Sequence, residues 1–185
     1  MSLQVSTAIC VAATCALVLV LGRGASGSHG THPIVRDVSC PVLVRFSPHG
    51  GAEQAVTETL RHARVRVRAA LYGLTSPVIE HTLSELARAG VHVAIKTDRG
   101  QSAGREQGAL LNRLQAAGVS VAVSGPRTPI HDKFAVVDSR WVITGSFNWT
   151  TSAERRNREN VLVLDCPDLA AMFEAEWEGI APSDH

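Results

Sequence analysis

Aromatic side chains are scarce in this chain: Phe, Trp and Tyr make up 4% of 185 residues, with a single tyrosine. A core must therefore come from Val, Leu, Ile and Ala, within a hydrophobic fraction of 45%, and the length suits one domain with a sizeable core. An excess of charge is also missing. The net charge is +1, and Arg23 is the sole charge of the first 27 residues, so the remainder balances 17 basic against 17 acidic groups. A strongly basic nucleic-acid footprint is thereby excluded, and any attraction for anions must be local. Lysine is nearly absent, for Lys96 and Lys133 are the only two among 18 basic residues. The chain otherwise writes Arg for positive charge, yet it sets a compact point charge two residues after His131. The four cysteines lack metal-ligand spacing, the histidines are scattered, and no internal repeat is visible.

Residues 3–21 are uncharged and mostly apolar, and small residues follow from Gly24 to Ser28. Residues 1–27 thus read as a secretory signal, although no cation precedes the apolar run. The stretch is also close to membrane-spanning length, so an uncleaved anchor over 3–21 is the alternative. The expected location is secreted, periplasmic or envelope-facing, or else membrane-anchored. Residues 28–40, with His29, His32 and Pro33, read as a linker to one domain over 41–181. Cys10 and Cys15 belong to the signal segment. Cys40 and Cys166 flank the first and last predicted strands and form either a disulfide or two buried free thiols.

Strands are predicted at 42–46, 65–74, 91–95 and 119–123, alternating with helices at about 52–63, 77–89 and 105–117. In the second strand Val65, Val67, Ala69 and Leu71 alternate with Arg66, Arg68, Ala70 and Tyr72. Arg64, Arg66 and Arg68 read as a solvated or helix-covered face rather than a polymer-binding run. Ser76 and Pro77 give an N-cap followed by an N1 proline, and Gly90 a stop. A hairpin over 131–144, a polar stretch at 150–157, a buried strand at 161–164 and a helix near 169–177 complete the order. This order predicts an α/β fold, a central mixed β-sheet flanked by helices in a single domain. Tyr72, Trp141, Phe147, Trp149 and Trp177 read as core, and His62, His81 and His92 as surface or satisfied core groups. His49, in the turn after the first strand, is a loop histidine or a pocket-lining one.

The stretch 131–148 carries the chemistry. His131 and Lys133 stand two apart at the head of an apolar run, and on a strand they share a face. Asp138 closes the run. Gly145, Ser146 and Asn148 follow the second strand, so a hairpin brings Ser146 and Asn148 beside His131 and Lys133. A nucleophile or base, a fixed cation and neutral hydrogen-bonding groups around one small volume suit a phosphoryl group.

His-x-Lys-x4-Asp-x6-Gly-Ser-x-Asn resembles the signature of the phospholipase D superfamily, matched here by His131, Lys133, Asp138, Gly145, Ser146 and Asn148. The segment 46–51 and Asn157-x-Glu159-Asn160 are similar to its short bacterial endonuclease branch. The resemblance spans about residues 40–180 and implies the superfamily's fold and a metal-independent reaction without cofactor. It implies that His131 attacks phosphorus to give a phosphohistidine, while a second histidine protonates the leaving oxygen and then activates water. Lys133 and Asn148 would hold the non-bridging oxygens, with Ser146 assisting. Glu159 would accept a hydrogen bond from the nucleophile's ring, and Asp138 and Gly145 would serve the local structure.

One motif supplies one histidine, so a homodimer with a shared active site is implied, each chain giving one His131 and one Lys133. Arg127 before the motif, and Arg155, Arg156 and Arg158 near Glu159, are candidate phosphate contacts for DNA or RNA. The same chemistry on a phospholipid head group is the alternative, with the N-terminal segment providing membrane association. An inactive nucleic-acid-binding module is a third reading. Such modules lose the motif's His or Lys, and both are present here.

Overall fold

The computed structural model describes residues 39–181. The signal or anchor expected over 1–27, Cys10 and Cys15, and the linker through residue 38 lie outside the described residues. The elements are β1 (Val42–Ser47), α1 (Ala52–Leu60), β2 (Arg66–Leu71), α2 (Pro77–Arg88), β3 (His92–Thr97), α3 (Arg99–Ser102) and α4 (Arg105–Ala116). Then come β4 (Ser120–Val123), β5 (Lys133–Val137), β6 (Trp141–Gly145), α5 (Thr151–Arg155), β7 (Glu159–Asp165) and α6 (Pro167–Gly179). The strands form one mixed sheet in the order β1-β7-β6-β5-β2-β3-β4. The β2–β3 and β3–β4 pairs are parallel, joined by helical crossovers, and the rest are antiparallel.

Period-two alternation decides which helices cover which face. Val67, Ala69, Leu71, Val93, Ile95, Ala135, Val137, Ile143 and Val161 face α1, α2 and α4 in the larger core cluster. Ala70, Phe134, Val136 and Val142 face Ala170, Phe173 and Trp177 of α6. The expected central sheet with helices on both sides is therefore the fold observed. The arginines of β2 lie beneath α6, where Arg66 meets Glu174 at 2.9 Å and Arg68 meets Glu178 at 2.8 Å. The helix-covered reading holds for Arg66 and Arg68, whose charges are paired with α6, while Arg64, before the strand, is exposed.

Two short helices, α3 and α5, were absent from the predicted order, which had loops there. Each is set by a side-chain cap: Asp98 accepts from the Gln101 N–H at 3.0 Å, and Thr150 from the Ala153 N–H at 3.1 Å. Elements this short carry no apolar period, so caps are the only sequence signal for them. Helix α1 ends at Leu60, three residues before the expected end, as N–H groups from Arg61 to Ala63 close a tightening last turn. Helix α6 starts at Pro167, earlier than expected, with proline in its first turn.

A disulfide joins Cys40 to Cys166, their Cα atoms 5.5 Å apart. It ties the edge strand β1 to the head of α6, beside its own neighbour β7. Phe147 and Trp149 are buried to 1% exposure and Trp141 packs against the larger cluster. His62 stacks on Trp141 with ring centroids 5.4 Å apart, and His81 lies 3.2 Å from Glu85.

Candidate active site

Strands β5 and β6 meet at a turn in which Asp138 and Ser139 both have positive φ, 51° and 54°. That is the pattern of a type I′ connection, whose twist suits a hairpin. The Asp138 carboxylate accepts N–H groups of Arg64, Val65 and Arg66 at 2.7, 2.9 and 2.8 Å. Burial opposes its charge, but these three donors and the Arg64 cation outweigh burial and hold it below the usual carboxylate range. Asp138 thus fastens the turn to the entry of β2, away from the other motif side chains.

Those side chains gather at the opposite end. The ladder of β5 starts at Lys133, opposite Leu71, so His131 precedes the strand rather than lying within it as expected. The Tyr72 N–H donates to the Asp132 carbonyl at 2.8 Å and holds this approach extended. Lys133 Nζ still stands 3.4 Å from His131 Nδ1 and donates to the His131 carbonyl at 2.7 Å. Burial pulls the Lys133 ammonium below its ordinary value, with Asp132 and Glu159 partly compensating. A less hydrated ammonium is an effective partner for a phosphoryl oxygen.

After β6 the chain stays extended and alternates. Phe147 and Trp149 enter the core, while Ser146 and Asn148 line the cleft. The segment is fastened to the loop after β2, for Trp149 N–H donates to the Gly73 carbonyl and Thr75 and Ser76 N–H groups to the Trp149 carbonyl. Gly145 has φ 145°, and a Cβ there would strike the Asn160 carbonyl and lie 2.7 Å from its side-chain oxygen. Only glycine admits this approach. It allows Asn160 to accept the Ser146 N–H at 3.2 Å through its side chain, while Ser146 Oγ accepts the Asn160 N–H at 3.1 Å.

Within one chain the partners of Glu159 are residues other than His131. The Glu159 carboxylate accepts from Ser146 Oγ at 2.6 Å and from Asn157 Nδ2 at 3.1 Å, and within the described residues it makes no hydrogen bond to His131. The reason is the sheet order: Glu159 opens β7, and β6 separates β7 from β5, a gap of roughly 10 Å. Glu159 instead fixes the Ser146 hydroxyl.

His131, Asp132, Lys133, Phe134, Thr144, Gly145, Ser146, Asn148 and Phe173 surround an open cleft of about 540 Å³. Asn148 Oδ1 is buried with no hydrogen-bond partner among the described residues. The remaining candidates lie around this group. His49 is exposed in the turn after β1 at φ 66° and does not line the cleft. Arg127 lines a neighbouring cavity of about 730 Å³ that shares Asp132 with the cleft. Arg155 is exposed at the end of α5. Sequence reasoning missed Phe134, Thr144 and Phe173, which become walls only when α6 crosses the sheet. It also placed Tyr72 in the core, whereas its ring centroid is 4.6 Å from that of His131. A lone tyrosine at the carboxyl end of a sheet strand is where α/β folds build sites, and that was the available signal.

The family model described as "Cardiolipin synthase, PLD-like domain" matches residues 56–181. A Rickettsia bellii protein named "Phospholipase D" is 30% identical over 81% of this chain and 77% of its own length. The human protein named "Mitochondrial cardiolipin hydrolase" is 37% identical over 72% of this chain, which spans about half (52%) of that relative. Among solved structures, the phospholipase D family member Nuc from Salmonella typhimurium superposes with a TM-score of 0.73 at 33% identity, covering 76% of this chain and 93% of Nuc. The chain belongs to the phospholipase D superfamily, and the chemistry its cleft carries is that of a phosphodiesterase.

Proposed function

We propose that the protein is a metal-independent nuclease that hydrolyses nucleic-acid phosphodiesters through a phosphohistidine, in a homodimer with one shared site. A ring nitrogen of His131 attacks phosphorus, forming the P–N bond as the P–O bond to the leaving group breaks. The partner copy's His131, protonated, gives its proton to the departing oxygen. That imidazole then takes a proton from water, whose oxygen attacks phosphorus and breaks the P–N bond. Lys133 and the Asn148 amide hold the non-bridging oxygens, and Ser146, whose hydroxyl donates to Glu159, assists by fixing the segment that carries Asn148.

The observation that carries the substrate class is the placing of unspent arginines. Arg155, Arg156 and Arg158 are exposed beside Glu159 and have no carboxylate partner among the described residues, and Arg127 is exposed next to the cleft's other side. Cations on both flanks suit a chain of phosphates. Among the described residues the cleft's large apolar walls are Phe134 and Phe173, little cover for a lipid's acyl chains.

The shared site is supported by an uncovered apolar strip. Val42, Val44 and Phe46 of β1 are 49%, 42% and 59% exposed. They pair with Leu164, Leu162 and Asn160, and Leu164 belongs to the face under α6. The strip ends at Asn160, which grips Ser146, so a second copy on it reaches the cleft. A disulfide between Cys40 and Cys166 fits an oxidising compartment and supports an exported enzyme.

The phospholipid reading draws on the relatives' names and on the apolar N-terminal segment. Incubating the full chain in EDTA with plasmid DNA, RNA, phosphatidylcholine and cardiolipin, beside His131→Ala, separates the two. Cleavage of nucleic acid in chelator is the expected result. Turnover of lipid alone would overturn the substrate assignment, and loss of all turnover in chelator would overturn the metal-free reaction.

A further inference from the structure

Tyr72 has no part in the reaction above and does not line the cleft, yet it stands against both groups that define it. Its ring centroid lies 4.6 Å from that of His131, tilted by 57°, and 5.3 Å from Lys133 Nζ. We propose that Tyr72 is the positioning residue of the site: its ring is the fixed wall that sets the imidazole and ammonium at one geometry, and Gln101 locks that wall in place.

The case begins with how little else holds His131. It is exposed, it precedes the first ladder position of β5, and among the described residues its side-chain hydrogen bonding is limited to the 3.4 Å contact with Lys133. Tyr72, in contrast, is held from several sides. Its N–H donates to the Asp132 carbonyl, between His131 and Lys133. Its carbonyl accepts from Gln107 Nε2 at 3.3 Å. Gln107, 4% exposed, also donates to Thr97 Oγ1 at 3.0 Å and accepts the Leu74 N–H at 2.8 Å. The far end of the ring is held as well, because Gln101 Nε2 donates to the Tyr72 hydroxyl at 2.9 Å. An aromatic face fixed at both ends offers the tilted contact that imidazole prefers and the quadrupole that attracts an ammonium. Such preorganisation acts on turnover more than on binding, since misplacing a reacting atom by about 1 Å can cost about 100-fold in rate.

The inference rests on His131 as nucleophile, and the test keeps the two apart. Tyr72→Leu removes the wall, Tyr72→Phe keeps it but frees its far end, and Gln101→Leu frees that end from the other side. With bis(p-nitrophenyl) phosphate as probe, Tyr72→Leu should lower kcat on the order of 10- to 100-fold with KM within about 2-fold. Tyr72→Phe and Gln101→Leu should share a smaller loss, and their double variant should be no worse than either alone. In NMR spectra the His131 ring protons should carry a ring-current shift in wild type and Tyr72→Phe that Tyr72→Leu abolishes. Wild-type kcat in Tyr72→Leu, a loss confined to KM, or additive losses in the double variant would overturn the proposal. A wild-type protein inactive on every phosphodiester would instead defeat the enzymatic reading, and unchanged His131 shifts in Tyr72→Leu would still defeat this one. If Tyr72→Leu does not fold, Gln101→Leu with wild-type kcat overturns the lock.

Discussion

Asp138 and His131 belong to one motif and sit at opposite ends of β5, separated by roughly 20 Å of extended chain. The carboxylate closes the hairpin onto the entry of β2 and the imidazole opens onto the cleft. Their spacing in the sequence is therefore the length of a strand. It is not the geometry of a catalytic pair.

Replacing Asp138 by Ala should destabilise the fold by about 1–3 kcal/mol, since three N–H donors lose their acceptor. Urea unfolding measures this, and specific activity of the folded fraction should be kept. Asp138's native value lies below the ordinary 3.8. Its stabilisation is thus present above about pH 4 and lost as pH falls through the lowered native value. An acid-unfolding curve unchanged in Asp138→Ala would contradict this role.

Lys133 loses its proton at lower pH than an ordinary lysine, because burial disfavours the ammonium. The cation is the form that holds phosphoryl oxygens, so kcat should fall as pH rises through a value below 10.5. Lys133→Arg should not restore the wild-type profile, since a planar guanidinium cannot replace a point charge at that spot. A flat alkaline limb up to ordinary lysine titration would count against the assignment.

Mixing wild-type and His131→Ala chains in equal amounts tests the shared site. If both copies are required, only the wild-type pairs, about a quarter of randomly formed dimers, retain activity. Half of the activity surviving after subunit exchange would mean each chain works alone. Phe46→Asp places a charge on the apolar strip and should shift the dimer toward monomer in light scattering, with loss of turnover.

Reduction of the Cys40–Cys166 bond should lower stability by about 2–4 kcal/mol, because it closes a separation of 126 residues. Comparing urea midpoints with and without reductant measures it. Equal midpoints in fully reduced and oxidised protein would show that the bond contributes nothing.

Converting Arg155, Arg156 and Arg158 together to Ala should raise KM for DNA and reduce the slope of log affinity against log salt by about 2–3. An unchanged slope would leave the nucleic-acid reading without its physical support.

Much of the fold was legible because it follows from local periodicities. The β-α units, the hairpin and the helix-covered arginines of β2 all come from alternation, caps and turn residues within short windows. The short helices α3 and α5 escaped, since four or five residues hold no period. The cleft was half legible. His131, Lys133, Ser146 and Asn148 share a hairpin end by spacing alone, whereas Phe173 arrives from the last helix and Tyr72 from just past the end of β2, 59 positions before His131.

The chain's order of residues by itself determined which groups gather: the spacing along two strands puts His131, Lys133, Ser146 and Asn148 at one end of a hairpin. Tertiary structure alone decided the partners of those groups. Sheet order put β6 between Glu159 and His131 and gave Glu159 to Ser146, and it brought Tyr72 against the imidazole. The physical reason is that local spacing fixes where a side chain stands on its own strand, while strand order, set by burial of both sheet faces, fixes what stands opposite.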